Sequence, residues 1–80
     1  MSLRFVGVDP DTPNTGSPTI WVDEDDGSIV IQGSRITDER TLGEILATGP
    51  IPEHETVVRL PRRMLPFLRE VGNDDGAGNL

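Results

Sequence analysis

The chain has 80 residues, enough for one small domain, and a chain of this size buries only about 60% of its unfolded surface. Because it lacks cysteine and lysine, the sequence excludes disulfides, cysteine-ligated zinc, thiol catalysis and a lysine-containing phosphate loop. Its net charge of −7 argues against nonspecific binding of nucleic acid. No apolar stretch approaches the ~20 residues that span a bilayer and no signal peptide opens the chain, so we expect a cytoplasmic protein with no membrane partner.

The charge is divided unevenly along the chain. Residues 1–34 carry one arginine and six acids, a balance of −5, residues 35–71 carry six of each, and residues 72–80 add −2. We therefore expect an acidic end and one local basic stripe. The acids of this end include Asp23, Glu24, Asp25 and Asp26, and the stripe consists of Arg59, Arg62, Arg63 and Arg69, which no acid interrupts.

The first half of the chain reads as three strands. Alternating side chains predict a strand over Leu3–Val8, and the prolines of Asp9–Pro18 predict a loop. The β-branched and aromatic residues of Thr19–Gln32 flank Asp26-Gly27, which is typical of a hairpin turn.

The register of this hairpin depends on the length of its turn. A three-residue turn with a bulge at Gly27 would move Trp21 onto the face of Ile29 and Ile31. A two-residue turn at Asp26-Gly27 would instead pair Val22 with Ile31 and Trp21 with Gln32. It would leave one apolar face made of Ile20, Val22, Ile29 and Ile31.

The second half predicts two helices with a strand between them. Asp38 or Thr41 can cap the first helix, and Thr41 and Glu44 have the spacing of a capping box. Its apolar face would consist of Leu42, Ile45 and Leu46, and Gly49-Pro50 would stop it.

The last helix contains a proline, which disfavours a helix interior. Glu55–Leu60 predicts the strand before it, and Leu65, Leu68 and Val71 lie at helical spacing. Pro66 implies either that 61–65 is a separate turn or that the helix starts near Pro66. We expect Gly72 to end the helix and residues 73–80 to form a disordered acidic tail.

These elements predict one small α+β domain over residues 1–72. Its sheet would be mostly antiparallel, with three to four strands in the order β-ββ-α-β-α and one or two short helices on one face.

Several runs of residues within 4–71 carry a resemblance. They are Trp-Val-Asp-Glu-Asp-Asp-Gly-Ser at 21–28, Gln32-Gly33, Ile36-Thr37-Asp38, Thr41-Leu42, and Pro-Ile-Pro-Glu-His-Glu-Thr-Val-Val-Arg-Leu-Pro-Arg at 50–62. With them the chain resembles small actinomycete proteins of the Streptomyces type, which are often encoded beside helix-turn-helix regulators. The resemblance implies a cytoplasmic accessory or interaction protein of a regulatory system and carries over no active site. The chain departs from the group at Ser34, where an aromatic residue is expected, and at Pro66.

Two features invite a metal or catalytic interpretation. The acidic run could bind a cation, but an EF-hand loop starting at Asp23 would need a glutamate at its twelfth residue, which is Ser34. The single histidine, His54, lies between Glu53 and Glu55, and no motif supplies a nucleophile. We therefore expect no metal, no cofactor and no catalytic residue, and a small enzyme around His54 is the second alternative function.

The strand and arginine-bearing helix over 57–63 also occur in DNA-binding proteins of the ribbon-helix-helix class. That class needs a further helix, whereas this chain ends in a polar, glycine-rich segment. A direct DNA-binding regulator using Arg59, Arg62, Arg63 and Arg69 is the first alternative. In the purely structural interpretation, these arginines form the solvated side of a core helix, and their aliphatic stems cover apolar surface.

The favoured prediction is a non-enzymatic protein-interaction module, acting as an accessory partner in a transcriptional regulatory system, as a monomer or a homodimer. Trp21 would either pack in the sheet or anchor the interface. In a variant of this prediction, the acidic N-terminal half occupies the basic DNA-binding face of the helix-turn-helix regulator. The candidate interaction residues are Trp21, Asp23, Glu24, Asp25, Asp26, Arg59, Arg62, Arg63 and Arg69.

Overall fold

The protein folds as the α+β arrangement that its sequence predicts, with one three-stranded and one two-stranded antiparallel sheet. The computed structural model describes residues 2–11 and 17–79, the last six by their backbone. Residues 12–16 of the predicted loop lie outside this part. In chain order the elements are β1 (Leu3–Val8), β2 (Thr19–Asp23), β3 (Ile29–Gln32), β4 (Ser34–Arg35), α1 (Glu39–Leu46), β5 (Val58–Arg59), a 3₁₀ turn (Arg62–Met64) and α2 (Leu65–Asn79).

The larger sheet has the order β1-β2-β3. Both predicted registers of the β2–β3 hairpin are wrong, because Ile20 pairs with Ile31 and Val22 with Ile29. This is a slip of two residues from the register of a two-residue turn. Side chains alternate with a period of two, so the slip preserves the apolar face expected for that turn. Trp21 consequently lies on the opposite face, paired with Val30.

A four-residue loop, 24–27, causes this slip. Gly27 takes the left-handed conformation, with φ 79°, and its N–H donates to the carbonyl oxygen of Asp23 at 2.7 Å. The Asp26 carboxylate accepts from the N–H and the hydroxyl of Ser28, at 2.9 and 2.6 Å. The Asp23 carboxylate accepts from the N–H of Asp25 at 3.0 Å. These side-chain bonds satisfy backbone groups that a shorter turn would have paired in the ladder.

The hydrophobic core lies between α2 and one face of the β1–β2 pair. A register shift in β1 between Phe5 and Gly7 brings Val6 against this core. The ring of Phe67 lies on Gly7, where an added Cβ would fall 2.3 Å from Cδ1 of the ring. Buried in this layer are Ile20, Val22, Met64 and Val71, with Val6, Leu60, Phe67 and Leu68 packed around them.

Helix α2 accommodates Pro66 and Gly72, the two residues expected to limit it. Pro66 lies in the first turn, where a proline costs no helical hydrogen bond, and the 3₁₀ turn before it is the separate turn expected from the sequence. The prediction that Gly72 ends the helix is wrong, since α2 continues to Asn79. Gly72 does not take the left-handed conformation by which glycine terminates helices. Disorder of the tail remains a prediction, and Leu80 lies outside the described residues.

Residues 34–59 form a peripheral arm made of β4, α1 and β5. Asp38 is the N-cap of α1 and accepts from the N–H of Thr41 at 2.9 Å, so Asp38 and not Thr41 begins the helix. The strand predicted over 55–60 is reduced to Val58–Arg59, which pairs with β4 in place of joining the larger sheet. Across the arm, all of which the structure describes, no side chain is buried.

Candidate functional site

Three apolar side chains form a row across the face of the larger sheet that lies opposite the core. Phe5 of β1 pairs with Trp21 of β2, and Trp21 pairs with Val30 of β3, so the three lie side by side. Phe5 is 59% exposed, Val30 is 37% exposed and Trp21 is half-buried. We call this row the open face. It places Trp21 partly exposed on a sheet surface and outside the buried core.

The acidic turn, Asp23–Asp26, lies beside this row, where β2 ends. Asp23 is two residues from Trp21 on the same strand and therefore lies on the same face. Glu24 binds Arg4, with 3.2 Å between Oε2 and Nε. The hydroxyl of Ser28, and then its backbone N–H, lower the pKa of Asp26, so this carboxylate is ionised at neutral pH. The open face thus borders a region of negative charge.

The predicted basic stripe does not form one free surface, because Arg63, although 45% exposed, is paired with carboxylates of the same chain. Its Nε and Nη2 donate to the two carboxylate oxygens of Asp9, both at 2.6 Å. Asp9 is fully buried, and Asp11 lies 3.2 Å from the same guanidinium. Hydrogen bonding to Asp9 raises the pKa of Arg63. This ion pair links the loop after β1 to the 3₁₀ turn that precedes α2.

Sequence reasoning missed the role of Asp9. The two partners are 54 residues apart, and no spacing rule connects positions at that distance. A local signal exists in the pair Asp9 and Asp11, since the Asp9 carboxylate accepts from the N–H of Asp11 at 3.0 Å. This Asx turn indicates an ordered loop start but does not identify the arginine.

The other arginines of the stripe lie in different settings. Arg59 belongs to β5 and donates to the hydroxyl of Thr41 at 3.5 Å, and Arg69 is exposed on α2. Arg62 borders a shallow, open groove of about 330 Å³. The groove is lined by Leu60, Pro61, Arg62, Met64, Leu65 and Leu68. Its single charged side chain offers little to orient a small polar ligand.

His54 is exposed in the arm, and its Nε2 lies 3.7 Å from a carboxylate oxygen of Glu55. Within residues 2–11 and 17–79, no group of three or more histidine, aspartate or glutamate side chains is placed to hold a metal ion. Among the candidate residues, Trp21 and the acidic turn lie close together, which places an apolar row beside negative charge.

No helix in the described part of the chain is both long and apolar enough to cross a membrane. Comparisons with protein-family models, curated proteins and solved structures found no match to this chain.

Proposed function

We propose that this chain is a non-enzymatic protein-interaction module that binds its partner through the open face. The exposure of Phe5, in line with Trp21 and Val30, is the observation on which this proposal rests. Aromatic side chains held by a rigid sheet lose little conformational entropy on binding and are frequent centres of protein interfaces. A strand-borne row also keeps its geometry without a partner, so little reorganisation opposes binding.

The charge next to the row indicates the chemistry of the partner. The acidic turn gives this edge of the surface a negative potential, and the whole chain carries −7. A matching partner would present an apolar centre bordered by arginine or lysine, and the opposite charges would accelerate association. The DNA-binding face of a helix-turn-helix regulator has such a border. The resemblance expected from the sequence implies the same partner, with the chain as its accessory protein.

Direct DNA binding is the weaker alternative. Its affinity would depend on arginines that neutralise phosphates, and Arg63 is already bound to Asp9 and Asp11. The remaining arginines would have to overcome repulsion between the DNA and a chain of net charge −7.

A capture experiment with matched variants tests the proposal. The tagged chain is incubated with a nuclease-treated lysate of its source cells at physiological salt, and retained proteins are identified by mass. We expect stoichiometric retention of a helix-turn-helix regulator by the wild type, loss with Phe5→Glu, and retention with Leu46→Glu. Leu46 is a fair control because it is 54% exposed and lies in the arm.

Two results would count against the proposal. If no protein is retained, the chain is not the proposed interaction module. If the wild type and Phe5→Glu retain a partner equally, the open face is not the binding surface. A gel shift with duplex DNA at low salt would then decide for the DNA-binding alternative if it depended on Arg62 and Arg69. If a regulator is retained, added operator DNA should release the chain from it.

A further inference from the structure

Strand β3 lies at an edge of the larger sheet and is apolar along its length. Ile29, Val30 and Ile31 are 47%, 37% and 40% exposed, and Gln32 carries no charge. Among the described residues, no strand pairs with the outer edge of β3. Exposed edges of this kind pair readily with other strands, and proteins that avoid this place charges or prolines on them. Neither protects the four residues of β3.

The hairpin bonds show which backbone groups this edge offers. The N–H of Asp23 donates to the carbonyl oxygen of Ser28 at 2.8 Å, so Ser28 is turned toward β2. Hydrogen-bonding directions alternate along an antiparallel strand, which turns Val30 and Gln32 toward β2 as well. The N–H and C=O groups of Ile29 and Ile31 therefore point outward from the sheet.

We propose that a second copy of this chain pairs antiparallel with the outer edge of β3 and forms a two-fold symmetric dimer. Only outward-pointing residues can exchange hydrogen bonds, which sets Ile29 of one copy opposite Ile31 of the other. Val30 then faces its own equivalent across the two-fold axis. The two three-stranded sheets become one six-stranded sheet, with both copies of α2 on the same face. The four isoleucines of the two β3 strands cover one another on that face.

Charge complementarity argues for a second copy as the occupant of this edge. Arg35 lies five residues after Val30, and Asp25 lies five residues before it. Continued from β3 through Gly33 into β4, the register centred on Val30 carries Arg35 of each copy toward the acidic turn of the other, at both ends of the strand pair. Within the described part of the chain, Arg35 makes no ion pair. Arg59, which pairs with Ser34 across the smaller sheet, adds positive charge beside Arg35.

The size of this contact sets its expected strength. A strand edge of four residues buries less than the roughly 1,000 Å² of a stable interface, so the ion pairs at both ends must contribute. These pairs are exposed and salt screens them. The dimer should therefore form in the range of about 10 μM to 1 mM and weaken as salt is added.

Sedimentation velocity of the purified full chain tests the dimer without any other protein, so its outcome is separate from that of the proposed function. We expect the mass to rise from 8.7 kDa toward twice that value with concentration at low salt. Ile29→Lys should keep the chain monomeric because it places charge in the isoleucine cluster. Leu46→Lys, at a similarly exposed position, should leave the dimer intact. Far-ultraviolet circular dichroism checks that both variants fold.

A charge exchange provides a second test on exposed residues outside β3. Arg35→Glu should abolish the dimer, and the double variant Arg35→Glu with Asp25→Arg should restore it. A wild-type chain that stays monomeric at about 1 mM and low salt would overturn the proposal and leave the edge for a strand of another protein. A dimer that survives both Ile29→Lys and Arg35→Glu would overturn it too, because the contact would lie elsewhere.

Discussion

The core region, formed by β1, β2, β3, the 3₁₀ turn and α2, and the peripheral arm, residues 34–59, differ in what holds them together. The core region buries apolar side chains between sheet and helix, and a buried carboxylate ties its loop to its helix. The arm, which the structure describes throughout, has no buried side chain and depends on a capped helix and a two-residue ladder.

This difference shows that an amphipathic helix is not always buried. Helix α1 has an apolar face of the kind expected to pack on a core, yet Leu46 on that face is 54% exposed. The connection through β4 and β5 carries α1 away from the larger sheet, whose helical layer is already supplied by α2. A helix can thus have the pattern of a core helix while its apolar residues stay half-buried, as Leu42 and Ile45 are, or exposed, as Leu46 is.

The largest contrast between the regions should come from removing apolar side chains. Ile20→Ala should lower the free energy of unfolding by about 2–5 kcal/mol, because Ile20 is fully buried and a cavity would remain. Leu46→Ala in the arm should change it by no more than about 0.5 kcal/mol. Urea denaturation followed by Trp21 fluorescence measures both. Equal losses would show that the arm packs as a core does.

The ion pair between loop and helix should give the next largest loss. Arg63→Ala leaves the fully buried Asp9 carboxylate without its cation, so the urea midpoint should fall clearly. Arg62→Ala removes the neighbouring, exposed arginine and serves as the control, with little change expected. An unchanged midpoint for Arg63→Ala would mean that the Asp9 carboxylate is satisfied without the guanidinium.

Two glycines should respond to alanine in opposite directions. Gly7→Ala should destabilise the fold by about 1–3 kcal/mol, since the new methyl group would overlap the Phe67 ring. Gly43→Ala meets no neighbour within 4 Å and should stabilise α1 by up to about 1 kcal/mol. Thermal unfolding of both variants measures the difference. A loss of stability in Gly43→Ala would show that the added methyl group meets a neighbour at this position.

The smallest effect should be an acid response confined to the arm. Bonds from the side chain and then the backbone N–H of Thr41 lower the pKa of Asp38 in the folded state. A lowered folded pKa means that the cap contributes fully above about pH 5 and is lost as pH falls below about 4. Amide chemical shifts of α1 should report this loss. In Asp38→Asn, which caps without ionising, the amide signal of Thr41, whose N–H the cap accepts, should respond less to pH than in the wild type.

The sequence predicts the elements better than it predicts their contacts. The bounds of β1 match the prediction, and the separate turn before Pro66 follows from the chemistry of proline. The hairpin register differs from the prediction, because the carboxylates of Asp23 and Asp26 stabilise a longer loop than the Asp-Gly pair suggests.

The candidate site divides in the same way. Trp21 and the acidic turn could be chosen as candidate residues from the sequence, since a single tryptophan and a run of acids are local features. The exposure of Phe5 depends on the register shift in β1, and the use of Arg63 depends on a carboxylate 54 residues away. Both are consequences of tertiary packing and have no local pattern.

The open face is the central claim, and an NMR titration tests it most directly. The regulator retained by the chain would be added to the ¹⁵N-labelled protein, and the perturbed amide signals would be assigned. We predict that the perturbations centre on Phe5, Trp21, Val30 and the acidic turn, and leave the amides of α1 unchanged. Perturbations centred on α1, with Phe5 and Trp21 unaffected, would contradict the account and assign binding to the arm.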